Sequence, residues 1–149
     1  MYEHLYDQPM STGAPLPFQL PAWIATAPFE EYLGMTIEEA GEGTALLTMP
    51  FQVKHCQGKG LMHGGAITAL ADTAVAMAIK SLLSEGSHFV TTDLHLQFHA
   101  PVRAGTVTAR AHVERRDERN LTGTCQVYAA DGTKVATFTS NFRILQREI

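Results

Sequence analysis

Residues Gly60–Ile79 read GLMHGGAITALADTAVAMAI. Asp72 is the only carboxylate in this run, and no Lys or Arg accompanies it. A charge buried without a partner is costly, so Asp72 either faces water or sits where something uses it. From Gly64 to about Ser84 the chain is rich in Ala, Leu, Met and Ile and contains no breaker. This predicts one long helix. It is apolar on nearly every side as far as Lys80, the pattern of a helix enclosed by other elements. Its many small side chains let a sheet approach closely.

Working outward, Gly34–Ala40 and Thr44–Pro50 read as two short strands around the turn GEG. His55–Leu61 is a Gly-containing loop. After Gly86 the period becomes two. In VTTDLHLQF, Val90, Thr92, Leu94, Leu96 and Phe98 are expected on one face, and Thr91, Asp93, His95 and Gln97 on the other. Thr106–Val113 alternates again. Leu121–Ala129 and Lys134–Leu145 are two further strands joined at Asp131-Gly132, a hairpin signal. Ala22–Tyr32 is expected to be a short helix interrupted by Pro. Residues 1–22 are Pro-rich and aperiodic, an N-terminal arm that is flexible or docks on a partner; 23–149 form the domain. Two strands, a long apolar helix and four strands predict an α+β architecture: an antiparallel sheet wrapped around one central helix.

Composition narrows the class. With 149 residues, 45% of them hydrophobic and 17% charged, the chain suits one folded domain and not a disordered segment. A net charge of −4 argues against a general nucleic-acid binder. No apolar run reaches the length of a membrane span, and Glu3 and Asp7 stand where a secretory signal needs basic residues. Cys56 and Cys125 cannot make a disulfide framework. A cytoplasmic protein is expected.

GLMHGGAITALADTA, TTDLHLQFHAPVRAG and VYAADGTKVATFTSNFRIL together resemble the hotdog-fold acyl-CoA thioesterases, in particular the phenylacetic-acid-degradation branch. The resemblance runs from about Phe29 to Leu145. Its most specific parts are His-Gly-Gly with an Asp nine positions after the His, and F-x-x-P-x-x-x-G from Phe98 to Gly105. It implies a homodimer, or a homotetramer built from dimers, with active sites at the subunit interface. It implies that Asp72 is the general base or nucleophile and that His63 and Gly64 bind the thioester carbonyl. A polar residue in the preceding loop helps to place water or substrate. That residue is usually Asn, and the matching position here is Gln57, a departure by one methylene. Thr91 matches a Ser or Thr on the following strand.

The residues themselves suit this chemistry. A helix N-terminus offers unpaired N–H groups and partial positive charge. Gly64 and Gly65, lacking Cβ, let a substrate oxygen approach them, which makes an oxyanion site. Burial with only Thr68, Ala69, Val75 and Ala76 beside it along the helix should raise the Asp72 pKa and make it a better base near neutrality. Thioester hydrolysis requires no cofactor and no metal. His55, Cys56 and His63 lack a fourth ligand at zinc spacing. Arg115, Arg116 and Arg119 read as a solvated turn, with coenzyme A phosphates as the sharper alternative.

Plainer readings stand beside these. A lone Asp in an apolar helix is often a buried polar contact, Gly64-Gly65 can serve close packing, and His63 alone would be structural. His95 and His99 read as solvated or interfacial. Two rival functions remain: a hydratase or dehydratase of hydroxyacyl thioesters, whose helix typically carries Glu where Asp72 stands, and a non-catalytic acyl-CoA-binding protein.

Overall fold

In the computed structural model, which describes residues 1–13 and 15–145, the elements run α1 (Pro28–Leu33), β1 (Thr36–Gly41), β2 (Thr44–Pro50), α2 (Gly64–Lys80), β3 (His88–Phe98), β4 (Thr106–Arg115), β5 (Asn120–Tyr128) and β6 (Lys134–Leu145). The end of the expected domain, 146–149, lies outside the described residues. The strands form one antiparallel sheet in the order β1-β2-β4-β5-β6-β3. The β5–β6 hairpin turns at Asp131-Gly132, where Gly132 has φ +88° and the Thr133 N–H donates to Asp131 Oδ1 at 2.9 Å.

The sheet curls around α2. Leu70, Ala71, Ala74, Val75, Ala78 and Ile79 are fully enclosed, against Leu47, Val107, Ala109, Val127 and Phe138 from the strands. Each large side chain buried this way contributes about 1.5–3 kcal/mol. The tightest approach is at Gly123 in β5. A Cβ built there would lie 2.3 Å from Val75 Cγ1. Val75 is β-branched and stiff at χ1, so it cannot swing away. Gly123→Ala should therefore wedge the helix off the sheet and cost on the order of 1–3 kcal/mol, read as a lower urea midpoint at unchanged m-value.

Four expectations need correction. The first is the length of the long helix, which ends at Lys80, not near Ser84. Its last carbonyls are taken elsewhere: Ser81 Oγ donates to Ala78 O at 2.6 Å and Trp23 Nε1 to Lys80 O at 3.0 Å. Secondly, Ala22–Tyr32 is helical only from Pro28. Ala27 precedes a proline and is extended (φ −89°, ψ 175°), the conformation that position favours. Trp23 is meanwhile held at the end of α2, with Lys80 Nζ 4.7 Å from its ring centre.

Thirdly, α2 is not enclosed all round. Thr68, Ala69, Asp72, Thr73 and Ala76 fall on one stripe that its own sheet leaves half open. Finally, β3 does not alternate evenly. Thr91 pairs with Phe142 and Asp93 with Asn141, so Thr92 is an extra residue, a β-bulge. Phe142, Ser140 and Phe138 are buried inward residues of β6. Their partners Thr91, Leu94 and Leu96 therefore share the helix side, while Val90, Asp93 and His95 pair with outward Arg143, Asn141 and Thr139. Even alternation would have sent Thr91 away from the helix.

The arm lies over α1. Tyr2 is buried, its N–H donates to Glu31 Oε2 at 2.7 Å, and the Tyr6 hydroxyl donates to the same oxygen at 2.6 Å.

Candidate active site

The loop before α2 is a miniature hairpin. His63 N–H donates to His55 O at 2.7 Å, Cys56 and Met62 form a bridge, and Gln57 N–H donates to Leu61 O at 2.8 Å. The loop delivers His63 as the N-cap of α2, in extended conformation (φ −61°, ψ 135°), with its Nδ1 accepting the Gly65 N–H at 2.7 Å. An accepting Nδ1 carries no proton, so the neutral ring carries it on Nε2, as a donor. The cap also occupies the Gly65 N–H. Among the described residues the Gly64 N–H has no partner, so it is the backbone donor left at this helix end.

Gly64 forms the floor of an open groove lined by Gln57, Leu61, Ile67, Phe98, His99 and Pro101. A Cβ on Gly64 would stand 2.9 Å from Phe98 Cζ. The Gln57 Oε1 accepts the Lys59 N–H, which directs its amide within the loop. The sequence places Phe98 on β3 and at the head of the F-x-x-P-x-x-x-G motif without marking it as a site residue. Its signal was present: a large aromatic ending the strand at the F-x-x-P turn. It is 53% exposed beside a helix N-terminus.

Two turns further along α2, the Thr91 hydroxyl donates to Asp72 Oδ1 at 3.3 Å. Burial raises the Asp72 pKa, and the Thr91 bond offsets part of that rise. No salt bridge reaches Asp72 among the described residues. One chain thus brings Thr91 to Asp72, and brings Gln57, His63 and Gly64 together with Phe98. It does not bring the two groups to one another. Gly64 and Asp72 are eight residues apart, roughly 12 Å along the helix axis at about 1.5 Å per residue.

The Gly64 group meets β3 at Phe98, its last residue, and Asp72 meets it at Thr91, toward its start. Among the described residues β3 is the last strand of the sheet, bonded to β6 alone. Leu94 and Phe98 on its helix side and Val90 on its outer side are 45%, 53% and 43% exposed. An unpaired edge with exposed apolar residues is a template for another chain.

The arginines sit in the β4–β5 turn. Arg115 donates to Asp117 O and Glu118 O at 3.1 and 2.9 Å, and Arg116 lies 3.4 Å from Glu114 Oε2. The Arg119 carbonyl accepts the Ile144 N–H at 2.7 Å, which sets this turn at the His88 end of β3. That is the end nearer Asp72 than Gly64. His55 is buried with both ring nitrogens engaged. No group of three or more His, Cys, Asp or Glu stands together for a metal among the described residues.

A family model described as the thioesterase superfamily matches residues 59–136, which span the His63–Asp72 helix and three of the strands after it. The chain belongs to the thioesterase superfamily. Within that family it is 30% identical over 106 residues to the proofreading thioesterase EntH of Klebsiella pneumoniae, covering 71% of this chain and 77% of that one. It is 40% identical over 80 residues to a protein of Haemophilus influenzae named as an esterase. That match covers 54% of this chain and 58% of the relative's length. A structure of the phenylacetic acid degradation protein PaaI from Thermus thermophilus superposes with a TM-score of 0.73 at 31% identity, over 80% of this chain and all of that one. The fold is the hotdog fold, and the kinship is with the PaaI-like branch of thioester hydrolases.

Proposed function

We propose that the protein hydrolyses acyl- or aryl-CoA thioesters to the free acid and coenzyme A, as a homodimer whose sites lie between two copies of α2. The observation that carries this reading is the placement of Asp72. It is half-buried, and among the described residues no salt bridge reaches it. It is hydrogen-bonded to Thr91 and lies on the open stripe of a helix whose N-terminus offers a free N–H. A single reacting carbon must lie within about 3–3.5 Å of attacker and oxyanion donor, give or take a water. One helix cannot serve both ends, whereas an antiparallel second copy across a two-fold axis sets its Asp72 beside the first chain's Gly64.

In this arrangement the thioester oxygen rests at the Gly64 N–H and the His63 Nε2–H, with Gly65 held in the cap. Asp72 takes a proton from water as the new C–O bond forms. The carbonyl electrons move onto the oxygen at the helix end. Collapse breaks the C–S bond, and the proton held by Asp72 passes to the leaving sulfur, giving the free acid and the thiol and restoring the carboxylate. Asp72 attacking the carbonyl carbon directly is the alternative step at the same geometry. Gln57 and Thr91 place water and substrate. Arg115, Arg116 and Arg119 are the proposed contacts for the coenzyme A phosphates, reached by releasing the turn's internal bonds. The chemistry uses no cofactor or metal. No described helix is long and apolar enough to cross a membrane, which fits the proposed cytoplasmic setting. Pairing of dimers into a homotetramer is part of the same proposal.

The test is thiol release over a panel of aryl-, medium- and long-chain acyl-CoAs, with and without chelator. Release at an unchanged rate in chelator is expected. Coenzyme A binding without release would favour the acyl-CoA-binding reading, and loss of water from a 3-hydroxyacyl thioester would favour the dehydratase.

A further inference from the structure

The residue His55 lies outside the chemistry above, yet it is among the most engaged side chains in the chain. It is 2% exposed. Its Nε2 stands 2.7 Å from the Leu33 carbonyl oxygen at the end of α1, and its Nδ1 accepts the Gln52 N–H at 3.0 Å. A carbonyl can only accept, so the ring is neutral with its proton on Nε2. All the ring's hydrogen-bonding capacity is spent on backbone from two separate segments. The backbone carbonyl of the same residue takes the His63 N–H at 2.7 Å and so forms the base of the miniature hairpin. The ring bonds determine where that carbonyl sits. The carbonyl in turn locates the N-cap and the loop that carries Gln57.

We propose that His55 is a positioning residue for the carbonyl-binding end of the site. By anchoring the loop between α1 and the end of β2, it keeps the His63 ring capping α2 and its Nε2–H turned outward as a donor. This rests on the reading of His63 and Gly64 as the thioester-oxygen site. Three consequences separate positioning from general stability. A donor misplaced by about 1 Å harms the transition state more than ground-state binding, so kcat falls while KM holds. The His63 ring should lose its single tautomer, because its Nδ1 no longer meets a fixed Gly65 N–H. The loss should also be graded with the number of ring bonds kept. His55→Gln can still donate to Leu33 O, and His55→Asn can still accept from Gln52 N–H, whereas His55→Leu keeps neither.

The experiment combines nitrogen-15 NMR of the His63 ring at about pH 8, assigned by its disappearance in His63→Gln, with thiol release on the same samples. Rates are expressed per coenzyme A-binding site counted by calorimetry. Wild type is expected to show one protonated and one bare ring nitrogen. His55→Leu should show averaged nitrogens and a kcat lower by roughly tenfold or more, with KM within about twofold. His55→Gln and His55→Asn should fall between. If His55→Leu does not fold, the two partial variants carry the comparison. A folded His55 variant with the wild-type tautomer and wild-type kcat overturns the proposal. If wild type releases no thiol from any acyl-CoA, the thioesterase reading fails, and the His63 tautomer alone still decides whether His55 positions the cap.

Discussion

Asp72→Asn is expected to lower kcat by about 10²–10⁴ and, at the same time, to raise the melting temperature near neutral pH. The two effects come from one cause. Burial raises the pKa of the folded Asp72 carboxyl. A carboxyl whose folded pKa exceeds its unfolded one binds its proton more tightly in the native state. That favours folding at pH below the unfolded value, and the advantage is lost as pH rises through the folded one. As pH rises past that window, wild type folds around a half-buried group whose charged form burial disfavours, with the Thr91 hydroxyl donating to it. The isosteric amide removes that charge and opens no cavity. Melting curves of the two proteins at about pH 7 and about pH 4 should show a gap in favour of the Asn variant that closes in acid. Near-wild-type kcat in the variant would make Asp72 a structural residue. A lower melting temperature at neutral pH would mean that the carboxylate has a stabilising partner supplied by a second chain.

Mixing two inactive variants, Gly64→Val and Asp72→Asn, should restore about a quarter of wild-type activity. Gly64→Val is expected to be inactive because a β-carbon there meets Phe98 at 2.9 Å and blocks the approach to the helix N–H. When subunits exchange freely, about half the dimers are mixed. Each mixed dimer has one site with an intact Gly64 from one chain and an intact Asp72 from the other, and one site with both damaged. Separately tagged chains isolate the mixed dimers and allow their activity to be measured directly. Proven mixed dimers that stay inactive would place a complete site within each chain, against the roughly 12 Å that one helix puts between Gly64 and Asp72.

Local chemistry determined much of this protein. The helix from Gly64 follows from a run of small and apolar helix formers without a breaker. The Asp131-Gly132 turn follows from a backbone that needs positive φ. The elevated Asp72 pKa could be anticipated from a carboxylate with no cation one turn away. Other features depend on which segments meet. The bulge at Thr92 is set by pairing with β6, and it turns Thr91 toward Asp72 although even alternation pointed it away. The end of α2 is set by Trp23 and Ser81, which arrive from outside the helix pattern. The open stripe around Asp72 exists because six strands curl around one helix and leave the side next to β3 uncovered. In sequence His55 is a loop histidine without a zinc-ligand set, and the fold brings Leu33 and Gln52 to its two nitrogens. Propensity and period act over a few neighbouring residues and can be read along the chain. A register shift, a seam or a buried anchor is a relation between segments distant in sequence, and only packing creates it.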